Sequence, residues 1–186
     1  MTLAVTVVGM AMAQSPQSPP VLETVPEKPD QESPSKSFQP PSNVDEARGR
    51  AKLLHELIHG TLQVVHRDFF EEDDPLAIPS SSMEDVFIEM SRSFGVEIKW
   101  LNAGTDVVNV DHDPADAFER SAAAKIGKGE PFFDAFSENQ YRFAGSIRLP
   151  SQCLKCHVKR RNSTRDRFAG LLISMPVESK TEASPN

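Results

Sequence analysis

The stretch Cys-Leu-Lys-Cys-His at residues 153–157 contains the only two cysteines of the chain, and a histidine directly follows the second one. A Cys-x-x-Cys-His spacing is typical of c-type haem attachment, because two thiols three positions apart can each add to a vinyl group of the porphyrin. The adjacent imidazole then binds the iron through a neutral ring nitrogen. The motif predicts one covalent haem c held by Cys153 and Cys156, with His157 as the proximal iron ligand.

Three other interpretations of the cysteine pair remain open. A thioredoxin-like redox disulfide normally opens a helix in a βαβ unit, and no such pattern surrounds the motif. A zinc site needs further ligands, and the chain has no second cysteine pair to supply them. The third interpretation is a metal-free exported protein in which Cys153 and Cys156 form a structural disulfide.

A second axial iron ligand must come from elsewhere in the chain. His55, His59 and His66 are four and seven residues apart in a segment with helical spacing of apolar residues. At about 100° per residue, the three histidines share roughly 40° of arc on one helix. We predict His66, near the carboxyl end of that helix, as the second ligand. His55, His59 and Met175 are the alternatives, since Met/His ligation also occurs in cytochromes.

Basic residues are concentrated just after the motif. From Lys155 to Arg167 there are six basic residues and one acid, Asp166, although the whole chain has a formal net charge of −7. Arg165 and Arg167 are the candidates for pairing with haem propionates. The segment could also present a docking surface to a redox or signalling protein partner with an acidic face, or be a solvated loop.

Composition divides the 186-residue chain into four segments. Residues 1–13 form an apolar run ending in Ala-x-Ala, which predicts a signal peptide and a periplasmic or secreted bacterial protein. Eight prolines in residues 14–42 predict a disordered linker. Residues 43–178 form the predicted domain, followed by a disordered tail at 179–186. No apolar stretch reaches the roughly 18 residues that span a membrane, and the acidic charge argues against nucleic-acid binding.

The periodicity within residues 43–178 predicts an α+β domain. Helical spacing predicts a long first helix capped at Asn43, a second from Ser82 to Gly95 and a third from Pro114 to Gly127. The second helix is expected to bury Met83, Val86, Phe87, Met90 and Phe94. Alternation predicts strands in VEIKWL, in VVNV as its hairpin partner, in QYRFAGSIRL and in RFAGLLISMPV. Neighbouring strands predict an antiparallel sheet with helices on one side.

The stretch SQCLKCH, the basic insertion after it and the strand RFAGLLISMPV resemble the haem-c PAS-like domain family. Members carry CxxCH shortly before a terminal GxxSxxxP-like strand. The long first helix and FERSAAAKIGKGE fit the same plan, so the resemblance covers most of 43–178. It implies a PAS-like antiparallel sheet, one haem c, and a small secreted protein or sensor module without a defined activity.

In some relatives in that family the distal iron ligand is a cysteine of the first helix. This chain has no third cysteine, so the resemblance implies that His66 replaces the thiolate and that the iron is bis-histidine. A neutral imidazole stabilises ferric iron less than a thiolate does, and we therefore expect a higher reduction potential.

Two functional classes are consistent with these residues. The favoured class is a non-catalytic haem module, acting in one-electron transfer or in redox or gas sensing. The other is a peroxidase-like haem enzyme with an open distal position, in which His55 or His59 would act as acid–base groups. A fixed sixth ligand favours electron transfer, whereas a ligand displaced by CO or NO favours sensing.

Overall fold

The computed structural model describes residues 38–69, 79–104, 109–151, 153–160, 163 and 165–178, without the side chains of Lys155 and Cys156. The elements along the chain are α1 (Val44–Phe69), α2 (Pro79–Phe94), β1 (Glu97–Asn102), α3 (Ala117–Ile126), β2 (Phe132–Ser137), β3 (Gln140–Leu149), α4 (Leu154–His157) and β4 (Arg167–Pro176). The strands form one antiparallel sheet in the order β1-β4-β3-β2. The predicted α+β class with a long amino-terminal helix is confirmed.

Both faces of the sheet are covered, so the prediction of helices on one side only is wrong. One core packs α1 and α2 against the sheet and includes Ala51, Ile58, Phe87, Trp100, Phe143 and Ile173. The other packs α3 against the opposite face and includes Leu101, Ala122, Ile126, Ala144 and Leu172. Central strands buried on both faces have continuous apolar runs, as in Leu171-Leu172-Ile173.

The first helix begins where the sequence predicts. The side chain of Asn43 accepts a hydrogen bond from the backbone N–H of Glu46 at 2.9 Å. In return, the Glu46 carboxylate accepts from the backbone N–H and the hydroxyl of Ser42 at 2.9 and 2.8 Å. These bonds, together with the ion pair to Arg50, lower the pKa of Glu46 to about 2. The reciprocal bonds satisfy N–H groups that a helix end otherwise leaves without partners.

The second and third helices begin at other positions than predicted. α2 starts three residues earlier, at Pro79, because proline is well suited to a first helical turn. Of the five side chains expected to be buried on α2, only Phe87 is, while Val86 is 55% exposed. α3 starts at Ala117, since Asp116 is its N-cap and its side chain accepts from the N–H of Glu119 at 2.9 Å.

The strand pairing also differs from the prediction. β1 pairs with β4, which the sequence did not predict. Of the predicted partner strand VVNV, Val107 and Val108 lie outside the described residues, and Asn109 and Val110 are not in a strand. β2 was not predicted. It forms the hairpin with β3 through Glu138 and Asn139, whose φ angles of 51° and 60° give the turn a twist that suits a two-residue hairpin.

The described chain begins at residue 38, within the segment assigned to the linker, and residues there contact the domain. The Phe38 ring lies 5.2 Å from that of Phe94, and the Pro41 carbonyl accepts from the N–H of Glu178 at 2.9 Å. The predicted signal peptide, the rest of the linker and the tail lie outside the described residues. None of the described helices is both long and apolar enough to cross a membrane.

Candidate functional site

The first helix lies along β3, and hydrogen bonds near the start of the helix fix it to the sheet. Asp134 of β2 accepts hydrogen bonds from Arg48 Nε and from the Tyr141 hydroxyl, both at 2.6 Å. Further along, the His55 ring contacts Gly145 of β3. The helix from Arg48 to His66 is about 27 Å long, the same as β3 from Tyr141 to Leu149. The end of α1 therefore reaches the end of β3, where the cysteine motif follows.

The motif itself lies on the short helix α4. Its flanking apolar residues anchor it, since Leu154 and Val158 are buried. The N–H of Cys153 donates to the carbonyl of Pro150 at 2.9 Å, which closes a turn directly after β3, and the N–H of His157 donates to the carbonyl of Cys153 at 3.2 Å. Cys153 is half-buried and His157 is exposed. The apolar positions hold the motif in place and leave Cys153 and His157 at least partly accessible.

The two predicted iron ligands lie close to each other. Although residue 157 is exposed overall, burial by the surrounding protein atoms lowers the pKa of His157, and the electrostatic interaction with His66 lowers it further. Such an interaction between charges fades beyond about 10 Å, so the two side chains lie in the same region of the molecule. The lowered pKa favours the neutral imidazole, which is the form that binds metals.

His55, an alternative ligand, faces the sheet. Its side chain is 8% exposed, and its ring packs so tightly on Gly145 that a Cβ built there would lie 2.2 Å from His55 Cδ2. The ring Nδ1 lies 3.3 Å from Glu56 Oε1, while Nε2 is buried and has no hydrogen-bond partner among the described residues. Eleven residues of helix separate His55 from His66, which is about 16 Å along the axis.

The other two alternatives have neighbours outside the motif. His59 is half-buried; burial and the charge of His55 lower its pKa, and its Nε2 lies 2.9 Å from Gln63 Nε2. Met175 is 1% exposed and fills the core opposite Tyr141. Because eight strand residues separate Met175 from Arg167, it lies about 27 Å from the end of β4 nearest the motif.

The last third of α1 continues the apolar face of the helix. Leu62, Val65 and Phe69 continue the face that Ala51 and Ile58 present to the core, at about 100° per residue. None of the three is buried, and Phe69 is 76% exposed. An apolar wall therefore lies beside His66. Leu62 still packs against the core, whereas Phe69 is mostly exposed, and sequence periodicity does not show where along the face burial ends.

The predicted propionate partners lie on the segment that follows the motif. Arg165 is exposed just before β4, and Arg167, half-buried, begins β4 opposite Leu149. Arg148, which was not predicted from the sequence, also belongs to this region, and its Nε donates to Asp166 Oδ2 at 2.6 Å. Because Arg148 pairs with the one acid of the segment, the basic residues keep a net positive charge. Lys159 and Arg160 are exposed there.

A cavity of about 300 Å³ lies on the α3 side of the sheet. Four of its charged residues form a network: Glu119 contacts Lys99 Nζ at 2.7 Å and Arg142 at 3.1 Å, and Asp116 contacts Arg142 at 2.7 Å. This network was not predicted from the sequence, although Asp-x-x-Glu at a helix start is a recognisable capping pattern. The charged lining does not suit an apolar cofactor. Across the described residues, no group of three or more His, Cys, Asp or Glu could hold a bare metal ion.

Comparison with known proteins gives the family. A family model for Tll0287-like proteins, described as Tll0287, matches residues 42–171, from the cap of α1 into β4 and across the cysteine motif. The chain belongs to the Tll0287-like family. No curated protein sequence matches it.

One solved structure similar to this Tll0287-like protein is the crystal structure of the cyanobacterial heme-protein Tll0287. The TM-score is 0.56 at 11% sequence identity, covering 73% of this chain and 98% of that chain. At this identity the likeness shows the fold, and it agrees with the α+β architecture described above.

Proposed function

We propose that this Tll0287-like protein binds one haem c covalently and transfers single electrons. The observation that carries the proposal is the proximity of His66, on the end of α1, to His157 of the CLKCH motif. The structural relative is itself a heme-protein, which supports a haem-binding family. A PAS-like assignment of the domain and its export to the periplasm or beyond are part of the same proposal.

The residues present fit such a group. Cys153 and Cys156 would form the thioether bonds, and His157 and His66 would be the two axial ligands. Haem would supply an iron that changes between ferric and ferrous states. The chain would hold that iron between two neutral imidazoles, and the apolar wall of Leu62, Val65 and Phe69 would exclude water. Arg165 and Arg167 would pair with the propionates.

Two protein ligands favour electron transfer over the other functions. With His66 and His157 both bound, no iron position is open to peroxide or to a gas. The peroxidase-like alternative needs His55 or His59 as a distal acid–base group. His55 packs on Gly145 and His59 lies beside Gln63, and the histidine whose charge acts on His157 is His66. We propose a partner with an acidic docking face, because the exposed Lys159 and Arg160 follow the motif.

Covalent attachment is tested by producing the chain in an exporting bacterial host that has a c-haem maturation system. We expect pyridine haemochrome bands typical of two thioethers, and haem that stays on the protein under denaturing electrophoresis. Replacing Cys153 and Cys156 by alanine should abolish both signals. A colourless wild-type protein, with its thiols reduced or joined as a disulfide, would refute the proposal.

The distal ligand is tested by equilibrium redox titration of the wild type and of His66→Cys. A thiolate at position 66 should lower the reduction potential, because it stabilises ferric iron. His59→Cys is the matched control and should leave the potential unchanged. An unshifted potential in His66→Cys would exclude His66 as a ligand. Binding of CO by the wild-type ferrous protein would favour sensing instead.

A further inference from the structure

The outer side of α1 carries large apolar side chains. Leu53, Leu57 and Val64 are 71%, 62% and 45% exposed. At about 100° per residue they lie within roughly 40° of arc, on the side of the helix opposite the buried Ala51 and Ile58. Contiguous apolar surface on a protein normally marks a contact with another molecule. We call Leu53, Leu57, Gly60 and Val64 the outer stripe.

The outer stripe has a shape that a second helix can enter. Gly60 lies between the aliphatic side chains, and a Cβ built there would meet nothing within 4 Å. Leu57, Gly60, Thr61 and Val64 line a shallow, mostly apolar depression. A glycine at the crossing point lets two helix backbones approach closely, and an aliphatic side chain from the other helix can fill the depression.

Charged residues border the outer stripe in a self-complementary order. Arg50 and Asp68 lie on one edge, about 15 Å before and 12 Å after Gly60 along the axis. Glu56 and Arg67 lie on the other edge, about 6 Å before and 10 Å after it. All four are at the surface, with side chains 32%, 42%, 77% and 69% exposed in that order.

We infer that the outer stripe is the contact surface for a second copy of this chain, with the two α1 helices antiparallel and crossing at Gly60. In a two-fold interface each residue meets the partner residue that in turn meets it. Antiparallel crossing at Gly60 sets Arg50 of one copy near Asp68 of the other, and Glu56 near Arg67. Opposite charges then meet on both edges, while Leu53 of each copy packs near Val64 of the other.

Self-complementarity favours a second copy over an unrelated partner. A surface for a strongly charged partner would carry one sign of charge, whereas each edge of the outer stripe carries both signs. Within one chain, Arg50 pairs with Glu46 and Arg67 with Asp68. A second copy therefore extends existing ion pairs into networks. One helix pair is a small interface, so the dimer should form in a concentration-dependent way.

The inference is tested by sedimentation velocity on the mature full chain from low to high micromolar concentration. We expect conversion from monomer to dimer, and at least a tenfold weaker dimer for Leu57→Glu. Val86→Glu is the matched control, because Val86 is 55% exposed on α2 and the charge change is the same. Circular dichroism should show both variants folded. A wild type that stays monomeric throughout, or a dimer that Leu57→Glu leaves intact, would overturn the inference.

The orientation is tested separately by disulfide cross-linking. In chains in which Cys153 and Cys156 are both replaced by alanine, Arg50→Cys is mixed with Asp68→Cys, with a mass tag on one of the two chains. Antiparallel crossing at Gly60 predicts hetero-dimers of one chain of each kind. Mostly like-with-like dimers would overturn the antiparallel arrangement. The experiment needs no haem chemistry, so its outcome is independent of the proposed function.

Discussion

The two parts of α1 on either side of Gly60 differ in what they contact. Before Gly60, Ala47, Ala51, His55 and Ile58 are buried against the sheet. After Gly60, no described residue of α1 is buried, although the apolar face continues to Phe69. The first part stabilises the domain, and the second part brings His66 to the cysteine motif. One uninterrupted helical pattern thus serves two roles, and burial distinguishes them.

The largest expected effect is on the packed part of the helix. Gly145→Ala would place a Cβ within 2.7 Å of the His55 ring, so either the ring or β3 must shift. We expect the free energy of unfolding to fall by about 3 kcal/mol, measured by urea denaturation. The control is Gly49→Ala, where a Cβ meets nothing within 4 Å. This control variant should raise the free energy of unfolding by up to about 1 kcal/mol. An unchanged free energy of unfolding in Gly145→Ala would show that His55 does not pack on β3.

The second effect concerns the fixed start of α1. Asp134→Ala leaves the buried Tyr141 hydroxyl without its acceptor and should cost about 2 kcal/mol. Burial raises the pKa of Asp134, but hydrogen bonds from Tyr141 and Arg48 outweigh this and lower it overall. Asp134 therefore stabilises the fold above its unfolded pKa, near 3.9, and this contribution disappears as pH falls through its lower folded pKa.

Urea denaturation as a function of pH distinguishes the contribution of Asp134 from that of an exposed ion pair. The difference between wild type and Asp134→Ala should be constant near neutral pH and shrink in acid. Asp45→Ala is the control, because Asp45 also pairs with Arg48 but is 92% exposed. It should change the free energy of unfolding very little. An equal loss in both variants would mean that Asp134 contributes only a surface ion pair.

The third prediction sets the two parts of α1 directly against each other. His55→Ala should lower the free energy of unfolding by about 1–2 kcal/mol, because packing against Gly145 is lost. It should leave the visible spectrum unchanged. His66→Ala should remove the spectrum of six-coordinate iron. Visible spectra and denaturation curves of both variants measure these two effects. A changed spectrum in His55→Ala together with a loss of stability in His66→Ala would exchange the roles of the two parts of the helix.

The smallest expected effect is electrostatic. The basic segment after the motif should make an anionic oxidant react faster than a cationic one, although the chain carries a formal net charge of −7. Lys159→Glu should slow the anionic oxidant roughly two- to fivefold at low salt, measured by stopped flow. Arg92→Glu makes the same charge change on α2 and should have a smaller effect. Equal effects would indicate that only net charge matters.

Local patterns predicted much of this fold, and non-local pairing limited the rest. The cap at Asn43 and the alternation in β3 depend on neighbouring residues, so the sequence reveals them. β1 pairs with β4, more than sixty residues later, and no local signal identifies such a partner. β2 was missed because FFDAFS at a sheet edge has half-buried and exposed positions without clear alternation.

The candidate site also has a part that local sequence predicts and a part that depends on non-local packing. The spacing of Cys153, Cys156 and His157 is a local signal. The choice among three histidines on one helix face needed the sheet, because the end of the sheet determines which of them packs in the core. His55 and His66 share a face, yet β3 lies under the first and the motif lies beside the second.

The position of Gly60 also bears on how the molecule is assembled. A glycine inside a helix weakens it by about 1 kcal/mol relative to alanine, and here it lies between the packed turns and the projecting ones. No described side chain of the projecting turns is buried, although Leu62 still packs against the core. Opening of these turns would therefore break few core contacts, and under the proposed function it would expose the haem site before the rest of the domain unfolds.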